Sequence, residues 1–335
     1  MSVAGRAAAS LALLCSLQVP SRVAAAPDQR ARTGTAPVVL AHVVGIAQDG
    51  GLPHLGCARE CCEAARRDPT RALRVASLAL TVDVAGEPRR LYLIDAGPDF
   101  RSQVDSALGA SGRGERPPGL PLDGILLTHA HIGHYAGLIY LGRESAATTR
   151  VPVYATARMS AFLSSSAPWR RLTQGGNIEL KTLEPGRSVD LAPGLSVEPL
   201  RVPHRDEEAD TVGFLVRGPS RRLLYIPDID AWDKWAMVEN GGTDIARLAG
   251  SVDVSLLDGT FYSADELPGR PQAEVPHPPI AASMDRLEAV ARAGHRILFT
   301  HLNHTNPALR PGSPERTAIE RRGFEVASEG LVLPL

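Results

Sequence analysis

Aromatic side chains make up only 4% of the 335 residues, with three tryptophans, six tyrosines and six phenylalanines. That scarcity argues against a base-stacking platform for nucleic acid. Net charge is nearly absent too: 36 Lys and Arg against 37 Asp and Glu leave a formal −1, which gives no general footprint for nucleic acid or an anionic membrane surface. No later stretch approaches the length of about 18 apolar residues needed for a transmembrane helix. Cysteine is rare, four residues, yet Cys57, Cys61 and Cys62 fall within six positions. An odd number packed so tightly cannot form a self-contained disulfide set, so metal ligation explains the group better than a disulfide plus one free thiol.

Hydrophobic content is ample at 44%, enough to bury the core of one large α/β domain or two smaller ones. The first residues read as an export signal: Arg6 as the positive region, an apolar stretch from Ala7 to Val19, then Val23-Ala24-Ala25-Ala26 as a small-residue cleavage site. The expected organisation is a signal peptide at 1–26, a flexible mature N-terminus at 27–37 and a single domain at 38–335, in a soluble periplasmic or secreted protein. Cys15 raises the alternative of lipoprotein attachment, against which the bulky Leu14 stands.

Apolar runs at Ala41 to Ile46, Val75 to Val84, Arg90 to Ile94, Val151 to Tyr154, Leu195 to Val202, Val212 to Val216, Leu223 to Ile226, Val252 to Leu257 and Ile297 to Thr300 predict strands. Helices are expected after His134 through Leu141, over Ala157 to Ser165, near Asp233 to Val238 and over Ile280 to Ala293. Pro98 marks a helix start, while Ser111 to Pro121 and the proline-rich Leu267 to Pro279 read as surface loops. This mixture predicts mixed sheets covered by helices, with no internal repeat visible.

The densest chemical signal is Thr128-His129-Ala130-His131-Ile132-Gly133-His134, placed directly after the apolar Gly124 to Leu127. Histidines two apart on an extended loop point the same way, and a third at the next helix start reaches a neighbouring position, a spacing suited to two metal ions. The bland alternative is a solvated loop, which ill fits three of the chain's ten histidines. Asp95, His204, Asp228, Asp258 and His301 each stand at the end of a predicted strand, where each taken singly reads as a turn residue or cap. Strand ends in layered α/β proteins converge on one rim.

In their order, Asp95, His129-x-His131-x-x-His134, His204, Asp228 and His301 resemble the successive motifs of the metallo-β-lactamase superfamily. Ala47-Gln48-Asp49-Gly50-Gly51-Leu52-Pro53, Asp258-Gly259-Thr260-Phe261 and the run from Thr300 to Pro307 resemble its branch containing coenzyme PQQ synthesis protein B. The resemblance spans nearly the whole mature chain. It implies an α/β fold, an αββα sandwich of two mixed sheets flanked by helices. It also implies that His129, His131 and His204 hold a first metal, that His134, Asp228 and His301 hold a second with Asp228 bridging, and that Asp95 orients the histidine loop from below.

One position departs from the pattern: the superfamily usually has Asp directly before the third histidine, where this chain has Gly133. Asp49 or His304 is a candidate to supply the missing contact; otherwise Asp49 caps a turn and His304 donates to a backbone carbonyl, leaving one ion or a metal other than zinc. The resemblance further implies a structural zinc held by Cys57, Cys61 or Cys62 and His277, with His54 a competing ligand.

Zinc is the expected cofactor, one or two ions at the histidines and one at the cysteines, with iron or manganese as active-site alternatives. The favoured function is hydrolysis, a metal-bound hydroxide attacking a phosphodiester, ester or lactone-type bond of a small-molecule substrate, with His204, Asp228 or His304 assisting proton transfer. Arg143, Arg201 and Arg205 are candidates to receive an anionic substrate or are ordinary surface charges. The competing readings are an iron-dependent oxygenase of the PQQ-synthesis type, disfavoured by export, and a metal-stabilised binding protein without catalysis.

Overall fold

The computed structural model describes residues 36–109, 120–235, 243–266 and 274–335. The expected signal peptide, Cys15, most of the segment 27–37, residues 111–119 of the first loop and 267–273 of the second lie outside the described residues.

Two sheets carry the chain. The first contains β1 (Val38–Gly45), β2 (Ser77–Asp83), β3 (Arg90–Ile94), β4 (Gly124–Leu126), β5 (Val151–Thr156) and β6 (Ile178–Leu183), with the last strand β14 (Val332–Pro334) added beside β1. The second contains β7 (Val189–Ala192), β8 (Leu195–Arg201), β9 (Val212–Arg217), β10 (Arg222–Ile226), β11 (Val254–Asp258), β12 (Arg296–Thr300) and β13 (Glu325–Val326), ordered β13-β12-β11-β10-β9-β8-β7. Both are mixed in the same way. β1 to β3 pair antiparallel and β3 to β6 parallel, while β8 to β10 pair antiparallel and β10 to β13 parallel. One topology is thus used twice, although the sequence shows no repeat.

The near-continuous apolar runs exist because the sheets are covered on both faces. Leu78, Leu80, Ile94 and Leu126 meet Phe214, Tyr225, Leu256 and Leu298 between the sheets. Outside the first sheet, α2 (Phe100–Gly109), α4 (Ala157–Ser165) and α5 (Trp169–Gln174) bury Phe100, Val104, Met159 and Leu163 against Leu93 and Ile125. Outside the second, α7 (Ile245–Ala249), α8 (Ile280–Arg292) and α9 (Pro314–Arg321) bury Ile245, Met284, Leu287 and Ile319. Each such side chain contributes about 1.5–3 kcal/mol relative to exposure. The result is the αββα sandwich that the sequence implied.

Some expectations change. The helix through Leu141 is split into α3 (Ile132–Tyr135) and a 3-10 segment, Ala136–Leu141. The helix near Asp233 is the short α6 (Trp232–Trp235), with 236–238 outside the described residues. Sequence reading missed α1 (Glu60–Arg67), in which only Cys62 and Ala65 are buried, and β6, whose central residues are only partly buried. Neither contains an apolar run: Glu60, Glu63, Arg66 and Arg67 interrupt the first, and Glu179, Lys181 and Thr182 the second.

Candidate metal centre

The histidine loop follows β4, and His134 sits on α3; His204 follows β8, Asp228 follows β10 and His301 follows β12. The glycine-rich turn carrying Asp49 leaves β1 and is tied to the His301 strand by Gln48 N–H donating to Leu302 O at 2.9 Å. Strand ends of both sheets thereby meet on one rim.

His129, His131 and His204 each bring a ligand atom within 4.8 Å of the others, and so do Asp49, His134 and His301. Asp228 lies between the two groups. Its Oδ2 is 3.2 Å from His134 Nε2 and 3.3 Å from His301 Nε2, and its Oδ1 is 3.6 Å from His204 Nε2. Asp49 Oδ1 is 3.1 Å from His134 Nε2 and 3.4 Å from His301 Nε2. His129 Nε2 and Asp228 Oδ2 are buried, face each other at 3.9 Å and have no hydrogen-bond partner. Buried polar atoms are rarely left so, because each costs about 1–3 kcal/mol. An imidazole lone pair aimed at a carboxylate oxygen is a donor set for a cation, so these residues fit divalent metal.

Behind the ligands stand two matching supports. Asp95 accepts from Thr128 N–H at 2.8 Å, Thr128 Oγ1 at 2.9 Å and His134 Nδ1 at 2.7 Å. Asp258 accepts from Thr260 N–H at 2.9 Å, Thr260 Oγ1 at 2.8 Å and His277 Nδ1 at 2.7 Å. Because each threonine hydroxyl gives its one proton to a carboxylate, its lone pair accepts Nδ1–H of His129 at 2.9 Å or His301 at 3.0 Å. That fixes the tautomer with Nε2 bare, as metal ligation requires. Asp95 and His301 hold φ of +68° and +59°, left-handed conformations costing on the order of 1–3 kcal/mol that tend to cluster at functional sites.

Burial, with the His134 charge adding to it, drives His129 well below the usual imidazole range, and burial takes His131 down to about 4. Both rings are therefore neutral. Burial pushes Asp228 and Asp49 upward, but His301 and His134 outweigh it and hold both carboxyls well below their ordinary range. Burial opposes charge on His134, which Asp95, Asp228 and Asp49 nevertheless raise well above the ordinary value. His277, also buried, is raised to about 9 chiefly by Asp258.

Gly133 offers no side chain, and Asp49 stands where one would go: a Cβ there would lie 2.4 Å from Asp49 Oδ1 and 2.8 Å from Asp49 Cα.

Two expectations are overturned. His277 does not join the cysteines; it hydrogen-bonds Asp258 and lies 3.9 Å from Asp228. His304 instead completes the Cys57, Cys61 and Cys62 group, all within 4.8 Å, and so leaves the candidates for proton transfer or for the ligand missing at Gly133. The three cysteines are free thiols. His54 stacks on His304 with ring centroids 4.5 Å apart, and its backbone N–H donates to Cys62 Sγ at 3.2 Å. Thr128 and Thr260 were missed as site residues, though each is adjacent to a motif residue in sequence. Asp230, 3.2 Å from His204 Nδ1, was also missed. Arg205 lines the metal cavity, Arg201 is held by Asp206 and Asp210 at 2.8 and 2.7 Å, and Arg143 is exposed.

Residues 90–302 match the β-lactamase superfamily domain family. Coenzyme PQQ synthesis protein B of Methylobacterium radiotolerans is 32% identical over 315 residues, covering 88% of this chain and 99% of that protein. The Rhizobium meliloti protein of the same name is 30% identical over 317 residues, covering 88% and 97%. The crystal structure of Zn(2+)-bound PqqB from Methylobacterium extorquens superposes with a TM-score of 0.70 at 27% identity, over 88% of this chain and 100% of that one. The chain belongs to the metallo-β-lactamase superfamily, in the family of coenzyme PQQ synthesis protein B.

Proposed function

We propose that the protein is an exported metal-dependent hydrolase that cleaves an ester-type bond, whether phosphodiester, carboxylic ester or lactone. The orphaned pair His129 Nε2 and Asp228 Oδ2 at the meeting point of two ligand groups carries this reading. His129, His131 and His204 would hold one ion, Asp49, His134 and His301 the other, with Asp228 between them. Such ions supply Lewis-acid polarisation of the ester oxygen and activation of water at neutral pH. Thr128, Thr260, Asp95 and Asp258 hold the imidazoles in their ligating tautomers. His277, anchored by Asp258, lines the cavity and is placed to touch substrate. Zinc at Cys57, Cys61, Cys62 and His304 would staple loops, since three thiolates and one imidazole close a tetrahedral site.

Export rests on the Arg6, apolar and Ala24-Ala25-Ala26 pattern; no described helix is long and apolar enough to cross a membrane. The test is elemental analysis of protein purified without oxygen, followed by a screen of phosphodiesters, esters and lactones. Zinc at the histidines with turnover supports the reading, and zinc with no turnover of any class overturns it. The second reading is an iron-dependent part in PQQ synthesis, favoured by the relatives' names and by donors that also accept iron. Iron in the histidine site would move it ahead.

A further inference from the structure

The metal cavity, about 260 Å³ and lined by Asp49, His131, His204, Asp228 and His277, adjoins two neighbours through shared lining residues. One, about 400 Å³, shares Gln48, Val275 and His277 with it and is walled by Arg59, Asn303 and Thr305. The other, about 490 Å³, shares Pro276 and His277 and is walled by Trp232, Pro278, Pro279 and Ala282. Each side cavity alone has the volume of a small-molecule site, roughly 300–1,000 Å³. Their walls differ in chemistry. The first presents amide, hydroxyl, imidazole and guanidinium groups together with the Glu266 carboxylate and the Phe261 ring, and Arg59 makes no ion pair among the described residues. The second is proline and tryptophan with cations at its edge, Lys234 and Arg286, already paired to Asp230 and Asp233.

A lactone or a monoester places one body beside its reacting atom and fills one arm. A linear diester places two, one on each side of a tetrahedral phosphorus held where two metal positions meet. The geometry points to the three cavities acting as one two-armed cleft for a linear phosphodiester with unlike halves, a polar one along Arg59, Asn303 and Thr305 and an apolar one along Trp232 and the prolines. This rests on the hydrolase reading above. In the reaction the water oxygen bonds to phosphorus, one P–O ester bond breaks, and the water proton leaves on the departing alcohol, giving a monoester and an alcohol.

Calorimetry on the metal-loaded protein tests the cleft with 2,3-dihydroxypropyl phenyl phosphate, whose polar and aromatic halves need both arms, and methyl phenyl phosphate, whose ring needs the apolar arm alone. Ala282→Trp narrows the apolar arm and Thr305→Trp the polar one. Ala282→Trp is expected to weaken both ligands at least about tenfold, and Thr305→Trp to weaken the dihydroxypropyl ester at least about tenfold and methyl phenyl phosphate less than about threefold. The cleft is overturned if Ala282→Trp leaves either ligand unchanged, if Thr305→Trp weakens both ligands equally or neither, or if the unsubstituted protein binds neither. Melting temperature and metal content check that both variants fold. Turnover of bis(4-nitrophenyl) phosphate is read separately: the expected binding pattern without turnover keeps the cleft and sinks the hydrolase reading.

Discussion

Asp49 occupies the space that a side chain at Gly133 would fill, its Oδ1 lying 2.4 Å from the position of the absent Cβ. A carboxylate lost from the histidine motif is thus replaced, in space, by one from a loop 84 positions earlier, since 133 − 49 = 84. The same oxygen faces His134 and His301.

Asp49→Asn should weaken metal at the His134 and His301 position by at least about tenfold, on the scale of losing a supporting ligand contact. Gly133→Ala should do likewise by displacing Asp49, while Asp49→Gly combined with Gly133→Asp should recover metal. The check is metal-to-protein ratio after dialysis against a weak chelator; full occupancy in Asp49→Asn would remove Asp49 from the ligand set.

His304→Ala and His277→Ala should part company. The first should release the cysteine-bound metal and lower the melting temperature by at least about 3 °C, as a loss of one or more kcal/mol does in a domain of this size. The second should leave that metal in place and reduce turnover. Loss of the cysteine metal in His277→Ala would restore the pairing expected from sequence.

Thr260→Val keeps volume but removes the hydroxyl that links Asp258 to His301. Leaving a buried carboxylate short of a donor should cost about 1–3 kcal/mol in denaturant melts of metal-free protein. Thr128→Val should act similarly through Asp95 and His129. A cost confined to one of the two would break the equivalence of the two supports.

Burial, reinforced by the Asp123 charge, raises the Tyr92 phenol from 10.0 to about 12, and its hydroxyl donates to Leu191 O at 2.8 Å. The folded state keeps this proton where the unfolded chain has lost it. The resulting stability is complete below pH 10 and is lost as pH rises toward 12, with a slope of up to about 1.4 kcal/mol per pH unit. Tyr92→Phe should remove that share of the alkaline slope in urea melts; an unchanged slope would contradict it.

The αββα class, the main strands and the candidate ligands His129, His131, His134, His204, Asp228 and His301 were legible because each stands at the end of an apolar run, and runs buried on both faces announce themselves. What failed was partnership. His277 and His304 are both loop histidines beside prolines or asparagines, and nothing in spacing says which rim position a loop reaches.

The sequence by itself determined the main apolar strands, the order of the donors along the chain and the absence of a carboxylate at 133, because these are local properties of residue type and period. Only the tertiary structure placed Asp49 beside that position, His304 beside the cysteines and His277 beside Asp258. Those pairings depend on how two sheets, each built from the same strand pattern, bring their carboxyl ends together, and on backbone contacts such as Gln48 to Leu302 that no local pattern encodes.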